Sequence, residues 1–234
     1  MPVLSGVISV PISMMQKMQA PVFIPIDYDS WPRKDVFELF STTRKCTFDI
    51  AVNITVTTLK RYSQQHGIPF SALMTYCISQ VINSHPNFRT EVNADGVLGY
   101  WDILHPLYTI PTQEAERFTH VMTPYTPDSA AFTARMQQDT AQYVTATTLY
   151  PQAPLPANIF AITTLPWVAF TSISYNVYGD GNYMIPFVTV GKYQEINGQL
   201  QLPVSVQFHH ATCDGFHAGV FFERLQAAID QFVV

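Results

Sequence analysis

The strongest constraint on the fold is the segment 209–217, with the sequence His-His-Ala-Thr-Cys-Asp-Gly-Phe-His. The run before it, 202–208, is apolar and is typical of a buried strand. The residues after it, 218–232, have the apolar spacing of an amphipathic helix. Two histidines and an aspartate are therefore predicted at the point where a core strand turns into a helix.

Histidine is the side chain best suited to proton transfer near neutral pH, so one of these histidines is predicted to be a general base. Because successive strand residues point to opposite faces, His209 and His210 are not expected to share a cavity. Asp214 could orient a ring, cap the helix or pair with an arginine, and Gly215 suits a tight turn. The alternative interpretation is an ordinary strand end, with two satisfied histidines and an aspartate as the N-cap.

Several classes of partner are disfavoured by the sequence. The formal charge of −5, without a basic run, argues against nucleic acid. The apolar start is broken by prolines and has no positive N-terminus, which argues against a membrane span or a signal peptide. Three cysteines without CxxC spacing are typical of reduced thiols, so a cytoplasmic protein is expected. A metal site built from His210, Cys213, Asp214 and His217 matches no zinc spacing, so no metal is expected.

Charged residues are scarce in this chain, at 12% against a usual share of about 25%. Much of the surface must therefore be uncharged, and 13% of the residues are aromatic. A surface of this kind is typical of a subunit interface, so a homo-oligomer is predicted.

No linker, repeat or low-complexity segment divides the chain, so we expect one domain over 26–234, preceded by an arm, 1–25, that is either flexible or docked as a strand. Helices are predicted at 30–40 with Ser30 as N-cap, from Thr57 or Thr58 to Gly67, and at 71–83, 128–144 and 218–232. Strands are predicted near 46–55, 88–92, 97–101, 106–111, 117–123, 158–163, 168–177, 184–193 and 199–209. Helices packed on a mixed, strand-rich sheet predict an α/β two-layer sandwich.

The segment 209–217 closely resembles the active-site signature of the chloramphenicol acetyltransferases. A looser motif, His-His-x-x-x-Asp-Gly, is shared with dihydrolipoamide acyltransferases and with the condensation domains of peptide synthetases. Other segments are similar to the chloramphenicol enzymes in particular, namely 26–31 with Arg33, 37–38, Cys46 with Phe48, the region of Tyr125, 165–168, 192–194 and 202–206. The resemblance runs from about residue 26 to the C-terminus.

The resemblance implies direct transfer of an acetyl group from acetyl-CoA to a hydroxyl of chloramphenicol, without an acyl-enzyme. It implies that His210 is the general base and that Asp214, paired with Arg33, holds the catalytic loop. Thr163 stands where the family has a serine, and its hydroxyl would stabilise the oxyanion. The family is a homotrimer, so the resemblance also implies active sites at subunit interfaces, where the histidine of one subunit faces a pocket largely built by the next.

The resemblance also assigns two binding pockets. In the acceptor pocket, Phe40 stands where the family has a tyrosine, Ala161 replaces an asparagine, Tyr175 replaces a leucine and Tyr150 replaces a phenylalanine. The acceptor positions that match in kind are Cys46, Phe48, Thr109, Phe118, Val177 and Thr189. The residues that match positions near the coenzyme A channel are Trp167, Lys192 and Tyr193.

Two other functions are kept as alternatives. The altered acceptor pocket favours a CoA-dependent acyltransferase that acts on a different small hydroxylated acceptor. A non-catalytic trimer that binds hydrophobic small molecules belongs to another functional class. The combination of His210, Asp214, Arg33 and a hydroxyl at Thr163 argues against a silent site.

Overall fold

A mixed sheet forms one layer of the protein in the computed structural model, which describes residues 20–114, 116–176 and 180–233. Its strands lie in the order β2-β10-β8-β7-β5-β6, with β9 paired to β10. Their bounds are β2 Thr47–Thr55, β5 His105–Pro111, β6 Phe118–Met122, β7 Ile159–Thr164, β8 Phe187–Val190, β9 Gln194–Ile196 and β10 Gln199–His209. The pairs β5–β7 and β7–β8 are parallel and the other pairs are antiparallel.

Helices cover one face of this sheet and form the second layer. Their bounds are α1 Lys34–Glu38, continued by a π-helical turn over Leu39–Thr43, α2 Thr57–His66, α3 Phe70–Asn83, α4 Ser129–Tyr143 and α5 Gly215–Asp230. A smaller sheet has the order β1-β4-β3. Its strands are β1 Phe23–Pro25, β3 Thr90–Val92 and β4 Leu98–Trp101. The predicted α/β two-layer sandwich is confirmed.

Strand β10 shows how the sequence divides the two faces of the main sheet. Every second residue is apolar and fully or almost fully buried in the core beneath the helices, namely Leu202, Val204, Val206 and Phe208. Phe208 packs against Phe221 of α5, with ring centroids 5.9 Å apart. Because side chains alternate along a strand, Ser205, Gln207 and His209 point to the face without helices. We call this second surface the open face.

Most predicted elements are found, but three details differ. The first helix begins at Lys34 rather than near Ser30, whose hydroxyl donates to the Asp27 carboxylate instead of capping a helix. No side chain caps α2, because Val56 is the N-cap and the Thr57 hydroxyl accepts from the Leu200 backbone N–H.

The strand predicted over 168–177 is wrong for 168–176, where the chain forms no strand. This segment crosses the open face and is held there by side chains of β10. The Ser205 hydroxyl donates to the Ile173 carbonyl at 3.2 Å, and the Gln207 amide donates to the Tyr175 carbonyl at 2.8 Å. An apolar segment that covers a sheet face resembles a strand in its sequence pattern although it pairs with none.

Part of the predicted arm belongs to the small sheet, since β1 pairs with β4 in antiparallel register. Residues 1–19 of the arm lie outside the described residues. Among the helices of the described ranges, none combines the length and the apolar character needed to cross a bilayer.

Candidate active site

His210 follows the last residue of β10 and is held between two aromatic rings. Its backbone N–H donates to the Cys46 carbonyl at 2.9 Å, which continues the pairing of β10 with β2. The imidazole stacks on Phe40 at a centroid distance of 4.0 Å and an interplanar angle of 9°. The ring of Phe48 meets it edge-on at 5.4 Å. Three predicted acceptor residues, Phe40, Cys46 and Phe48, therefore surround the predicted base within one chain.

The nitrogens of this imidazole are not used by the surrounding structure. Nδ1 of His210 is buried, and no group in the described part of the chain forms a hydrogen bond with it. Neither ring nitrogen takes part in an ion pair there. An imidazole held in place by packing, with its nitrogens unpaired, can accept a proton from a hydroxyl that reaches it.

Asp214 does not contact His210 but fixes the loop that carries it. One carboxylate oxygen accepts from Arg33 at 2.7 Å, and the other accepts from the Phe216 backbone N–H at 3.0 Å and lies 2.9 Å from Nδ1 of His217. Burial alone would raise the pKa of Asp214, but the hydrogen bonds from Arg33 and His217 outweigh it and lower the pKa below its ordinary value. Asp214 is therefore a charged N-cap of α5.

The segment that contains Arg33 is attached to the same loop by packing. Phe37, Met184 and Ala211 form a small buried cluster, against which Trp31 and Phe40 pack. Since Phe40 also stacks on His210, the ion pair and this cluster together set the position of the ring that orients the imidazole.

His209 has a different environment from His210. Its Nδ1 accepts from the Ala211 backbone N–H at 3.2 Å, so Nε2 carries the proton and donates to the Gly181 carbonyl at 3.1 Å. Burial is the main cause that lowers the pKa of His209. Both nitrogens of this neutral ring are occupied, so His209 has a structural role.

Thr163 lies far from His210 in the same chain. It pairs with Thr189 of β8, which in turn pairs with Ser205 of β10, so Thr163 is two strands away from the strand of His210. Two inter-strand spacings amount to about 10 Å, and the five residues from Ser205 to His210 span about 17 Å. The resulting separation of about 20 Å is longer than the two side chains can bridge.

Most of the remaining acceptor residues lie on the open face with Thr163. Strand alternation and register place Thr109, Phe118 and Thr189 there, Tyr150 stacks on His120 of β6, and Tyr175 packs on Phe187 with ring centroids 5.0 Å apart. Ala161 is on the same side of β7 as Thr163. Val177 lies outside the described residues. The predicted acceptor residues thus form two groups, one around His210 and one on the open face.

Two of the three predicted coenzyme residues line a cleft of about 170 Å³ between α3 and the ends of β7, β8 and β10. Lys192, Tyr193 and Phe70 are among the residues that line it, and the rings of Phe70 and Tyr193 pack edge to face with centroids 5.9 Å apart. The ammonium of Lys60 lies 5.4 Å from the Tyr193 ring centroid and 5.5 Å from that of Phe70. Trp167 is 76% exposed beside the cleft and does not line it. Sequence reasoning missed Phe70 and Lys60, because they come from helices far from the 192–193 segment.

Within the described ranges, no group of three or more His, Cys, Asp or Glu side chains is arranged to hold a metal ion.

Comparison with known proteins gives a consistent result. The family described as chloramphenicol acetyltransferase matches residues 22–226. A chloramphenicol acetyltransferase of Staphylococcus aureus is 37% identical over 209 residues, which cover 89% of this chain and 96% of the relative. Chloramphenicol acetyltransferase 2 of Escherichia coli is 38% identical over 211 residues, which cover 90% and 99%.

Solved structures agree at the level of the fold. A chloramphenicol acetyltransferase superposes with a TM-score of 0.80 at 20% identity, covering 89% of this chain and 100% of that one. A dihydrolipoamide acetyltransferase of Azotobacter vinelandii superposes with a TM-score of 0.61 at 17% identity, covering 78% and 81%. The resemblance read from segment 209–217 is therefore confirmed, and the chain belongs to the chloramphenicol acetyltransferase family, whose members are acetyl-CoA-dependent acyltransferases.

Proposed function

We propose that this protein transfers the acetyl group of acetyl-CoA to a hydroxyl of chloramphenicol and thereby inactivates the antibiotic, with His210 as the general base. The observation that carries the proposal is the unpaired imidazole of His210, held between Phe40 and Phe48 at the end of β10. Membership of the chloramphenicol acetyltransferase family supports both substrates.

His210 removes the proton from the acceptor hydroxyl, whose oxygen then attacks the thioester carbon directly. A hydroxyl is a weak nucleophile until a positioned base takes its proton. Thr163 donates a hydrogen bond to the oxyanion of the tetrahedral intermediate. When the carbon–sulfur bond breaks, the imidazolium returns the proton to the sulfur of coenzyme A, so the reaction leaves His210 neutral and no acyl-enzyme is formed.

The two residues act together only if they come from different protomers. His210 and Thr163 are about 20 Å apart in one chain, as the register of β10, β8 and β7 implies. The proposal is therefore a homotrimer in which His210 of one protomer faces the open face of the next. The exposed aromatic residues Phe118 and Tyr150, on or beside that face, support an interface there.

Acetyl-CoA is proposed to bind in the cleft beside α3. The ammonium groups of Lys192 and Lys60 suit its phosphates, and the rings of Tyr193 and Phe70 suit its adenine. No metal takes part in the proposed mechanism. Three free cysteines support a reducing compartment, and we place the reaction in the cytoplasm, with 26–234 as one acyltransferase domain.

A second candidate is an acyltransferase that acts on another small hydroxylated acceptor. Phe40 lies flat on the imidazole but has no hydroxyl to bind the acceptor, and Tyr175 brings a phenol to the segment that crosses the open face. Both residues change the hydrogen bonds that an acceptor meets.

Release of free thiol from acetyl-CoA, with and without chloramphenicol, tests the proposal. His210→Ala should lower chloramphenicol-dependent release by about 10²–10⁴-fold. His66→Ala is the matched control, because His66 lies at the end of α2 against Tyr62 and away from the site.

The possible results separate the candidates. Release that depends on other hydroxylated compounds but not on chloramphenicol would support the second candidate. Binding of chloramphenicol without any acetyl transfer would indicate a non-catalytic protein and refute both.

A further inference from the structure

His120 lies on the open face, but the proposed reaction gives it no role. In β6 its neighbours Thr119 and Val121 are fully buried toward the helices, whereas His120 is half-buried and points the other way. It pairs directly with Thr109 of β5. His120 therefore projects from the same surface as Thr109 and Phe118, two of the predicted acceptor residues.

The imidazole of His120 is held in a fixed aromatic arrangement. It stacks on Tyr150 with a centroid distance of 4.8 Å and an interplanar angle of 13°, and the edge of Phe118 meets it at 5.5 Å. The backbone beside Tyr150 is anchored along β6, because the Leu149 carbonyl accepts from the His120 backbone N–H at 2.9 Å. The stack therefore follows from backbone pairing as well as from side-chain packing.

The stack leaves a hydrogen-bonding atom without a partner. Nδ1 of His120 is buried and forms no hydrogen bond with any residue that the structure describes. The nearby Leu149 carbonyl is already occupied, because it accepts both the His120 backbone N–H and the Thr119 hydroxyl. Buried polar atoms are almost always paired in folded proteins, so an unpaired one beside a substrate pocket indicates a ligand partner.

The charge of the ring limits the ligands that suit it. Burial lowers the pKa of His120 below its ordinary value, so the imidazole is neutral at pH 7. A neutral imidazole has one donor and one acceptor nitrogen, so it can form hydrogen bonds with an uncharged polar group and does not need a charged ligand. Together with the phenol of Tyr150, it forms a flat surface with a polar edge.

We propose that His120 is a specificity-determining residue of the acceptor pocket, where its imidazole, stacked on Tyr150, forms a hydrogen bond with an uncharged polar substituent on a planar aromatic acceptor. This inference rests on the proposed function and adds to it the chemical class of acceptor that the pocket selects. His120 does not take part in bond making, so its effect is on acceptor binding rather than on the chemical step.

The test uses His120→Phe, which keeps a flat ring for Tyr150 but removes both nitrogens. The control is His66→Phe, because His66 also lies against a tyrosine, with its ring centroid 4.1 Å from that of Tyr62, but on α2. His120→Phe should raise KM for chloramphenicol about 3–10-fold, as expected for the loss of one hydrogen bond. Its KM for acetyl-CoA should equal that of the wild type, and the control should change neither constant.

Acceptor analogues identify the hydrogen bond itself. Analogues that lack the nitro group or the amide of chloramphenicol are compared on wild type and His120→Phe. With the analogue that lacks the contacted group, the difference between the two proteins should disappear. An equal rise in KM for every analogue, or a lower melting temperature with unchanged KM, would overturn the proposal, because His120 would then serve only packing.

Calorimetric binding of chloramphenicol, measured without acetyl-CoA, separates this inference from the proposed function. If wild type binds chloramphenicol more tightly than His120→Phe but transfers no acetyl group, the proposed function fails while the role of His120 is supported. If both proteins transfer acetyl and bind chloramphenicol equally well, the proposed function stands and the role of His120 is refuted.

Discussion

Mixing two inactive variants should restore activity, because the proposed base, His210, and the proposed oxyanion donor, Thr163, are too far apart to act within one chain. His210→Ala removes the base, and Thr163→Ala removes the donor. The register of β10, β8 and β7 separates the two positions by about 20 Å in one protomer. In an assembly of both variants, some sites receive His210 from one protomer and Thr163 from its neighbour.

The size of the restored activity follows from random assembly. Alone, His210→Ala should lose about 10²–10⁴-fold in kcat, and Thr163→Ala about 10²–10³-fold. In an equal mixture, half of the sites take an intact His210, and half of those meet an intact Thr163. About a quarter of the sites should therefore regain full activity, which is at least tenfold above either variant alone.

The assay is thiol release after the two chains are unfolded together in equal amounts and refolded. The control mixes His210→Ala with a chain that carries both substitutions, because no site can then contain both residues. A refolded mixture whose rate equals the mean of its two components would refute the reasoning, since it would place both groups in one chain. A fully active Thr163→Ala would show instead that another group binds the oxyanion.

Three further predictions concern the surroundings of the site. Asp214→Asn should lower the free energy of unfolding at pH 7, and this deficit should shrink as the pH falls below 4. Because the pKa of Asp214 is lowered in the fold, its stabilisation is complete above the unfolded value of about 3.9 and is lost progressively as the pH falls from there towards the folded pKa; urea denaturation at pH 7 and pH 3.5 measures this. Tyr193→Ala should raise KM for acetyl-CoA about tenfold without changing KM for chloramphenicol, which steady-state kinetics will show. The pKa of His209 is lowered in the fold, so below pH 6.5 the unfolded chain binds more protons than the folded one, and the free energy of unfolding decreases as the pH is lowered. This decrease should be smaller in His209→Gln, as urea midpoints at pH 7.5 and 5.5 will test.

Sequence pattern predicted the elements whose apolar residues are clearly arranged. Apolar and polar residues alternate along β10, and α3 is buried over most of its length, so both elements were found within one or two residues. The segment 168–176 has similar apolar content but covers the open face, where β10 holds it through Ser205 and Gln207. Its sequence does not distinguish pairing at a sheet edge from lying across a sheet face, because Ile173 and Tyr175 alternate with polar residues as they would in a strand.

His120 could have been found by the same alternation that predicted β6. Once Phe118 is assigned to the acceptor pocket, the two-residue periodicity of a strand places His120 on the same face of β6. The stack on Tyr150 and the unpaired Nδ1 of His120 could not be predicted. They depend on residues 149–150 lying alongside β6, although these residues come 30 positions later in the chain than their partners in β6.

The proposed division of the site between two protomers cannot be predicted from the spacing of residues in one chain. Phe48 lies beside His210 because β2 pairs with β10 and places Phe48 opposite Phe208, so this half of the site is fixed by register within the chain. In the proposed trimer Thr163 belongs to the other half of the site, and its distance to the proposed base depends on how two protomers pack rather than on any spacing in the sequence. The scarcity of charge predicts an interface between copies of the chain, but it does not predict which surfaces form that interface. Restored activity in mixed variants would show that the surface with His210 meets the surface with Thr163, because neither variant alone contains both side chains and only contact between protomers can bring them together.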